Sequence, residues 1–229
     1  MVVVEAWTTA VLIMTSMWFL GQTPGASEAA TTELERYLQF PGIGIRAVCA
    51  ISVVAAIVKY RRQSARSVGL GRPGRGLDIL IGMGATVAIY AVFFGMQWIL
   101  FIFFPEVLEE LAENTELLLN LLPDLHVLAF APLAIVVGIY EEVVFRGFLM
   151  TRLRRALGGW PAAIGVSTLL FTGLHALEQA AAALPLIAFL SLVFSVLTVW
   201  RRSLVPAIVA HALFDCAQFI GLSVLAGDS

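Results

Sequence analysis

The sequence predicts an all-α protein, a polytopic transmembrane helical bundle of about seven spans that forms one membrane domain over residues 1–229. Composition is the first reason, since 60% of the residues are hydrophobic and only 13% are charged. Soluble domains have roughly 45–50% apolar and about 25% charged residues. The second and third reasons are apolar runs of membrane-spanning length and an alternation of charge between those runs.

Seven apolar runs approach the ~20 residues that cross a bilayer as a helix. They lack the period-two alternation of barrel strands, so helices are expected. The runs cover residues 6–21, 42–58, 77–104, 126–148, 160–177, 182–200 and 204–225. Small residues at 25–27 after the first run resemble a signal-peptidase site, but no basic segment precedes that run, and a retained span is expected.

The charges between the runs predict the orientation. Twelve of the 14 Lys and Arg residues fall in alternate connections, at positions 59–75, 146–155 and 201–202. Acidic residues fill the opposite connections, at 28–35 and 106–124. By the positive-inside rule the basic side and the N-terminus are cytoplasmic. The acidic stretch 106–124 is either an amphipathic helix at the outer interface or a solvated linker. Without a basic tail, no nucleic-acid partner is expected.

Ionisable residues inside three of the apolar runs need a reason, because each costs roughly 2.5–3.5 kcal/mol near the bilayer centre. They form the following clusters: Tyr140-Glu141-Glu142-Val143-Val144-Phe145-Arg146, Phe171-Thr172-Gly173-Leu174-His175 and His211-Ala212-Leu213-Phe214-Asp215. Glu142 and Arg146 are four residues apart on one helical face and are expected to pair. Glu141 points about 100 degrees away and lacks that partner. It is therefore the candidate general acid or base, unless these side chains only hold neighbouring helices together.

Helix lengths predict that two of the clusters meet. A turn at Gly158-Gly159 would join the fourth and fifth runs as an antiparallel hairpin. Glu142 lies 16 residues before Gly158 and His175 lies 16 residues after Gly159, so both stand about 24 Å from the turn. His211 and Asp215 share one face of the last run.

A carboxylate and an imidazole in a shielded cavity can take a proton from water and direct that water at an amide carbonyl. The same atoms could instead ligate a divalent metal such as zinc. If a metal is present, its expected ligands are Glu141, His175, His211 and Asp215. No HExxH helix is found, and no Ser or Cys stands in a context that suggests a nucleophile, so Thr172 and Ser195 are only nominal candidates. The two chemistries stay open at this point.

The three clusters, in this order, resemble the CPBP family, also called the CAAX protease and bacteriocin-processing or Abi family. Its marks are Glu-Glu-x-x-x-Arg, Phe-x-x-x-His and a final His-x-x-x-Asn or similar motif, which here read Glu141-Glu142-x-x-x-Arg146, Phe171-x-x-x-His175 and His211-x-x-x-Asp215. The similarity covers residues 126–219, which would form the catalytic core. The family includes the Ras-converting type of CAAX prenyl endopeptidase.

The resemblance implies an intramembrane protease, glutamate-type or metal-dependent, in which Glu141 and His175 activate water. His211 and the residue at 215 would support the oxyanion or complete a metal site. Supporting roles would fall to the following residues: Glu142, Arg146 and Phe171. Asp215 departs from the Asn of the CAAX proteases, since an ionised carboxylate cannot donate to an oxyanion. Asp215 would then be protonated, orient His211 or bind a metal.

The expected protein is thus a multi-pass hydrolase of a membrane, with a prokaryotic cell membrane as the expected location. Its partners would be membrane lipid and a peptide or lipidated-protein substrate, prenylated CAAX-type substrates among them. Two other classes compete. A non-catalytic family scaffold could act as an immunity or regulatory protein, although the intact motif residues favour an enzyme. A proton-coupled carrier would need polar residues spread across the bilayer and an inverted repeat, neither of which is visible.

Overall fold

The computed structural model describes residues 33–70, 75–107, 109–112, 115, 130–177 and 179–225, and these residues are helices and their connections without any strand. The predicted all-α class is therefore confirmed for this part of the chain. The helices are α1 (Glu33–Tyr60), α2 (Arg75–Phe103), α3 (Phe130–Glu142), α4 (Met150–Leu157), α5 (Trp160–His175), α6 (Leu184–Arg201) and α7 (Val205–Leu225). Short 3₁₀ turns cover Ala65–Val68 and Ala181–Ala183, and a π-helix covers Val143–Leu149.

Three of the described helical segments are long and apolar enough to cross a membrane: Gly42–Tyr60, Gly76–Phe103 and Ala181–Arg201. They coincide with the second, third and sixth predicted spans, and they identify an integral membrane protein. The fourth, fifth and seventh predicted spans are also helical, but their crossing stays a prediction. The first predicted span lies outside the described residues, as does most of the stretch 106–124.

The predicted hairpin turn forms where expected. Helix α4 ends at Leu157, and Gly158 follows with a φ of +80°, a left-handed conformation that glycine adopts without steric cost. Helix α5 begins at Trp160, with a proline in its first turn, where a missing N–H costs nothing. Helices α3 and α4 are joined without a break by the π-helix, so a continuous helical rod runs from residue 130 to this turn.

Helix α7 packs against α2, α3 and α6 and so occupies the middle of the bundle. Glycines allow two of these approaches. A Cβ at Gly82 would lie 2.7 Å from Val209 Cβ, and a Cβ at Gly138 would lie 3.0 Å from the backbone nitrogen of Ala212. Gly82 therefore lets α7 approach α2, and Gly138 lets α7 approach α3, which is part of the rod that carries the two glutamates.

Contacts between connections group the loops as their charges predict. Arg152 donates to Gln63 Oε1 over 3.1 Å, and the backbone N–H of Leu204 donates to the Gly69 carbonyl over 3.2 Å. The three basic connections thus share one end of the bundle. Elsewhere the backbone N–H of Ala182 donates to Glu110 over 3.1 Å, which joins two connections predicted to lie on the outer side. Which end faces the cytoplasm stays a prediction.

Candidate active site

The two adjacent glutamates end α3, and both are buried, Glu142 completely and Glu141 with 8% of its surface exposed. The π-helix begins directly after them and carries Arg146, which is also completely buried. π-helical turns inside α-helices are rare and occur frequently at functional sites. This segment departs from the regular α-helix expected for the fourth span.

Arg146 and Glu142 form the expected ion pair, with 2.8 Å between Nη1 and Oε1. The rest of the guanidinium is also satisfied. Nη2 donates to the Ser191 carbonyl over 3.1 Å and Nε donates to Ser195 Oγ over 3.4 Å, which ties the rod to α6. The guanidinium carbon also lies 4.5 Å from the centre of the Phe171 ring. A buried ion pair with this many hydrogen bonds recovers most of its desolvation cost.

His211 is held by Glu142 from the opposite side, with 2.9 Å between Nδ1 and Oε1. Because a carboxylate oxygen in an ion pair accepts, Nδ1 carries a proton and Nε2 is left for other partners. The ring stacks on Phe194, with 4.9 Å between ring centres. Glu142 thus fixes both Arg146 and the orientation of the imidazole, a second role that the sequence did not indicate.

The remaining nitrogen of His211 faces the other two carboxylates. Nε2 lies 3.4 Å from Asp215 Oδ2 and 3.8 Å from Glu141 Oε2. Asp215 is the more open of the two, with 21% of its side chain exposed against 10% for Glu141. The imidazole therefore stands between Glu142 on one side and the carboxylates of Glu141 and Asp215 on the other.

Glu141 is oriented by its chain neighbour. The Tyr140 hydroxyl donates to Glu141 Oε1 over 2.9 Å, and Tyr140 is itself buried. The second oxygen, Oε2, is buried and has no hydrogen-bond partner among the described protein groups. It is consequently the acceptor of this carboxylate that is available to a proton donor.

His175 ends α5, and its Nδ1 lies 2.9 Å from the Phe171 carbonyl oxygen. A carbonyl only accepts, so Nδ1 is protonated and Nε2 is free to act as acceptor. The Phe171 ring centre lies 4.4 Å from that of His175 and 6.4 Å from that of His211. Phe171 therefore packs against His175 and lies near His211, and both His175 and His211 interact electrostatically with Asp215.

The residues expected to bind a metal are not grouped as a ready ion site. In the part of the chain that the structure describes, no group of three or more His, Cys, Asp or Glu side chains is arranged to hold an ion. Both histidines engage Nδ1 and leave Nε2 available, which is also how metal-ligating histidines are oriented. The choice between the glutamate-type and the metal-dependent alternative therefore stays a prediction.

The structure brings five of the predicted site residues within 4 Å of a neighbour in the set: Glu141, Glu142, Arg146, His211 and Asp215. It places His175 against Phe171. Sequence reasoning missed Tyr140, Ser191 and Phe194, and it considered Ser195 only as a nominal nucleophile and not as a partner of Arg146. Tyr140 adjoins the paired glutamates and could have been noticed there. Ser191 and Phe194 follow no pattern that marks them.

One comparison with known proteins found a family that covers the three predicted motifs. Residues 123–217 match the family model described as type II CAAX prenyl endopeptidase, Rce1-like. No curated protein and no solved structure matches the chain. The family match confirms the predicted resemblance to the CAAX protease family.

Proposed function

We propose that this chain, a member of the CAAX protease family through its residues 123–217, is an intramembrane endopeptidase that hydrolyses a peptide bond with water activated by Glu141 and His175. Membership of a protease family supports the reaction class. The proposed substrate is a peptide or lipidated protein held at the membrane, prenylated CAAX-type proteins among them. We further propose that residues 126–219 form the catalytic core of one multi-pass domain in a prokaryotic cell membrane.

The observation that carries the proposal is the setting of Glu141 Oε2. This oxygen is buried, has no hydrogen-bond partner among the described protein groups and lies 3.8 Å from His211 Nε2. A water molecule placed against both atoms is within hydrogen-bond reach of each, which is the geometry a general base requires. Glu142 Oε2 is also buried without a hydrogen-bond partner, but the other oxygen of Glu142 is committed to both Arg146 and His211. Glu141 Oε2 is the unpartnered carboxylate oxygen that lies next to the Nε2 atom of His211.

In the proposed reaction, Glu141 takes a proton from water as the water oxygen forms a bond to the carbonyl carbon of the substrate. His175 Nδ1 contacts the Phe171 carbonyl, so Nε2 of the neutral ring is the acceptor that we assign to orienting this water. The carbon–nitrogen bond of the tetrahedral intermediate then breaks. Glu141 returns its proton to the leaving nitrogen, so the products are an amine and a carboxylic acid, which then ionises by releasing the second proton of the water.

We assign the oxyanion to His211, which donates to it when Nε2 carries a proton. Its ring is fixed for that task by Glu142 at Nδ1 and by the stacked Phe194. Asp215 cannot donate when ionised, so its proposed role is to accept from the single Nε2–H before the substrate binds and hold the ring in place until the oxyanion becomes the acceptor of that hydrogen bond. This role accommodates the departure from the Asn found in the CAAX proteases.

The test is to purify the protein in detergent and compare cleavage of a panel of membrane peptides, prenylated and unprenylated, by the wild type and by Glu141→Gln. Removing a general base should lower the rate by about 10²–10⁴-fold. Glu110→Gln is the matched control, because this carboxylate is bound to the backbone of Ala182, away from the site, and should leave the rate unchanged. Metal analysis of all three preparations accompanies the assay. Equal rates for the wild type and Glu141→Gln would remove the catalytic assignment.

A further inference from the structure

At the basic end of the bundle, three arginines from two different elements come together. Arg152 and Arg155 lie on α4, and Arg61 lies in the turn that ends α1. The hydrogen bond from Arg152 to Gln63, two residues after Arg61, joins these elements. We call Arg61, Arg152 and Arg155 the basic cluster. None of its members contributes to the proposed active site.

Arg152 is the fixed member of the basic cluster. Its guanidinium carbon lies 3.4 Å from the centre of the Phe148 ring, Nη1 donates to the Phe148 carbonyl over 3.0 Å, and Nη2 donates to Gln63 over 3.1 Å. The side chain is half-buried. Stacking and hydrogen bonding hold the planar group in one orientation, so little conformational entropy is left to lose when it binds a ligand.

The charges in the basic cluster repel one another. Burial first, and then the positive charges of Arg155 and Arg61, lower the pKa of Arg152 to about 10, so the group is still protonated at neutral pH. Within the described residues, neither Arg152 nor Arg155 forms an ion pair with a carboxylate. Asp78, a buried carboxylate of the neighbouring α2, is already paired with Arg201 over 2.9 Å. An anion from outside the protein would offset this repulsion.

We propose that the basic cluster binds the phosphate group of an anionic membrane lipid. A guanidinium fork matches the geometry of phosphate oxygens and forms charge-assisted hydrogen bonds with them. The cluster also has the right position, because Arg61 directly follows the membrane-spanning segment Gly42–Tyr60 and Arg152 follows the fourth predicted span. Lipid phosphates lie at this level of the bilayer, and juxtamembrane arginines attract anionic headgroups.

The experiment uses the full-length protein in a neutral detergent, with the melting temperature followed as lipid is titrated into the micelles. The three probes are phosphatidylglycerol, phosphatidylcholine and inorganic phosphate. We expect phosphatidylglycerol to raise the melting temperature at concentrations where the other two have little effect. Protection by inorganic phosphate equal to that by phosphatidylglycerol would overturn the proposal that the ligand is a lipid.

Substitutions of single arginines distinguish binding at the basic cluster from general attraction of anionic lipid to positive charge. Arg152→Gln and Arg155→Gln should each raise the half-saturating concentration of phosphatidylglycerol by about tenfold more than Arg154→Gln, as loss of a hydrogen bond to a charged group predicts. Arg154 is the matched control, since it lies on the same helix but stacks 4.4 Å from the Trp160 ring. Equal losses in all three variants would overturn the site. Because Arg155 is exposed, Arg155→Gln should fold normally and tests the site even if Arg152→Gln misfolds. An unchanged affinity for phosphatidylglycerol in Arg155→Gln would also overturn the proposed site.

Discussion

Replacing Gly138 by alanine should slow catalysis by changing the distance between two helices. Gly138 lies on α3, one turn before the paired glutamates, and faces Ala212 of α7. An added Cβ would lie 3.0 Å from the Ala212 nitrogen, 3.2 Å from its Cβ and 3.3 Å from its Cα. Because two of these atoms are backbone, the neighbour must give by a few tenths of an ångström. His211 precedes Ala212 and moves with it.

The stability change is expected to be small and the rate change larger. Overpacking costs about 1–3 kcal/mol, while the helix propensity of alanine over glycine returns about 1 kcal/mol. The net loss of stability is therefore about 0–2 kcal/mol. A 1 Å misplacement in a catalytic site can lower the rate by about 10²-fold. If the activation free energy rises in proportion to the displacement, a shift of about one third of an ångström lowers the rate by about fivefold. The contacts of His211 with Glu142 and Glu141 would lengthen.

The assay is kcat for the best peptide of the cleavage panel, measured with the melting temperature of each variant. Gly165→Ala is the matched control, because the same substitution is made on α5 where an added Cβ meets only open space. The kcat of this variant should equal that of the wild type. If Gly138→Ala and Gly165→Ala gave the same kcat, the close approach of α3 and α7 would not set the geometry of the site.

Two further substitutions separate stability from chemistry. Arg146→Met removes the ion-pair partner of the buried Glu142 carboxylate and should cost about 3–5 kcal/mol of stability. Arg154→Met, at an exposed position, should cost less than about 1 kcal/mol in the same thermal unfolding experiment. Similar melting temperatures for the two would contradict the buried pair. Tyr140→Phe removes the donor to Glu141 Oε1 and should lower kcat by about tenfold with KM nearly unchanged, while the unpartnered oxygen should cost about 1–3 kcal/mol of stability. An unaltered kcat would show that Glu141 needs no such support.

The features that the sequence predicted well depend on local rules. The Gly158-Gly159 turn follows from the conformational freedom of glycine, and the pairing of Glu142 with Arg146 follows from helical spacing. The grouping of basic connections at one end follows from the alternation of the apolar runs. Each of these needs only residues that are close in sequence, or a count of spans, so composition and spacing are sufficient to predict them.

The π-helix could not be predicted in this way. Its residues, Val143–Leu149, carry the same apolar pattern as an α-helix, and all seven of them are buried. Whether a turn widens depends on what packs around it. Gly147 shows this dependence, because a Cβ there would lie 2.7 Å from the Val68 carbonyl oxygen of a distant connection. Such a contact leaves no periodic signal.

The second role of Glu142 also required the structure. Its contact with His211 joins residues 69 positions apart, and the sequence gives only their rough depth in the bundle. The sequence paired Glu142 with Arg146 and left Glu141 without that partner, which agrees with the geometry, but nothing in the sequence indicated that the same Glu142 oxygen contacts both Arg146 and His211. Phe194, which stacks on His211, lies on a helix without any family motif.

The most direct test of the account is a double-mutant cycle on the cleavage rate, with Glu141→Gln, His211→Gln and the variant that combines them. If Glu141 activates the water and His211 binds the oxyanion that this water forms, each single variant should lose most of the rate enhancement. The combined variant should then be no slower than the more severe single variant. The account predicts this non-additive result. Rate losses that multiply in the combined variant would mean that Glu141 and His211 act independently, and would contradict a single catalytic pocket.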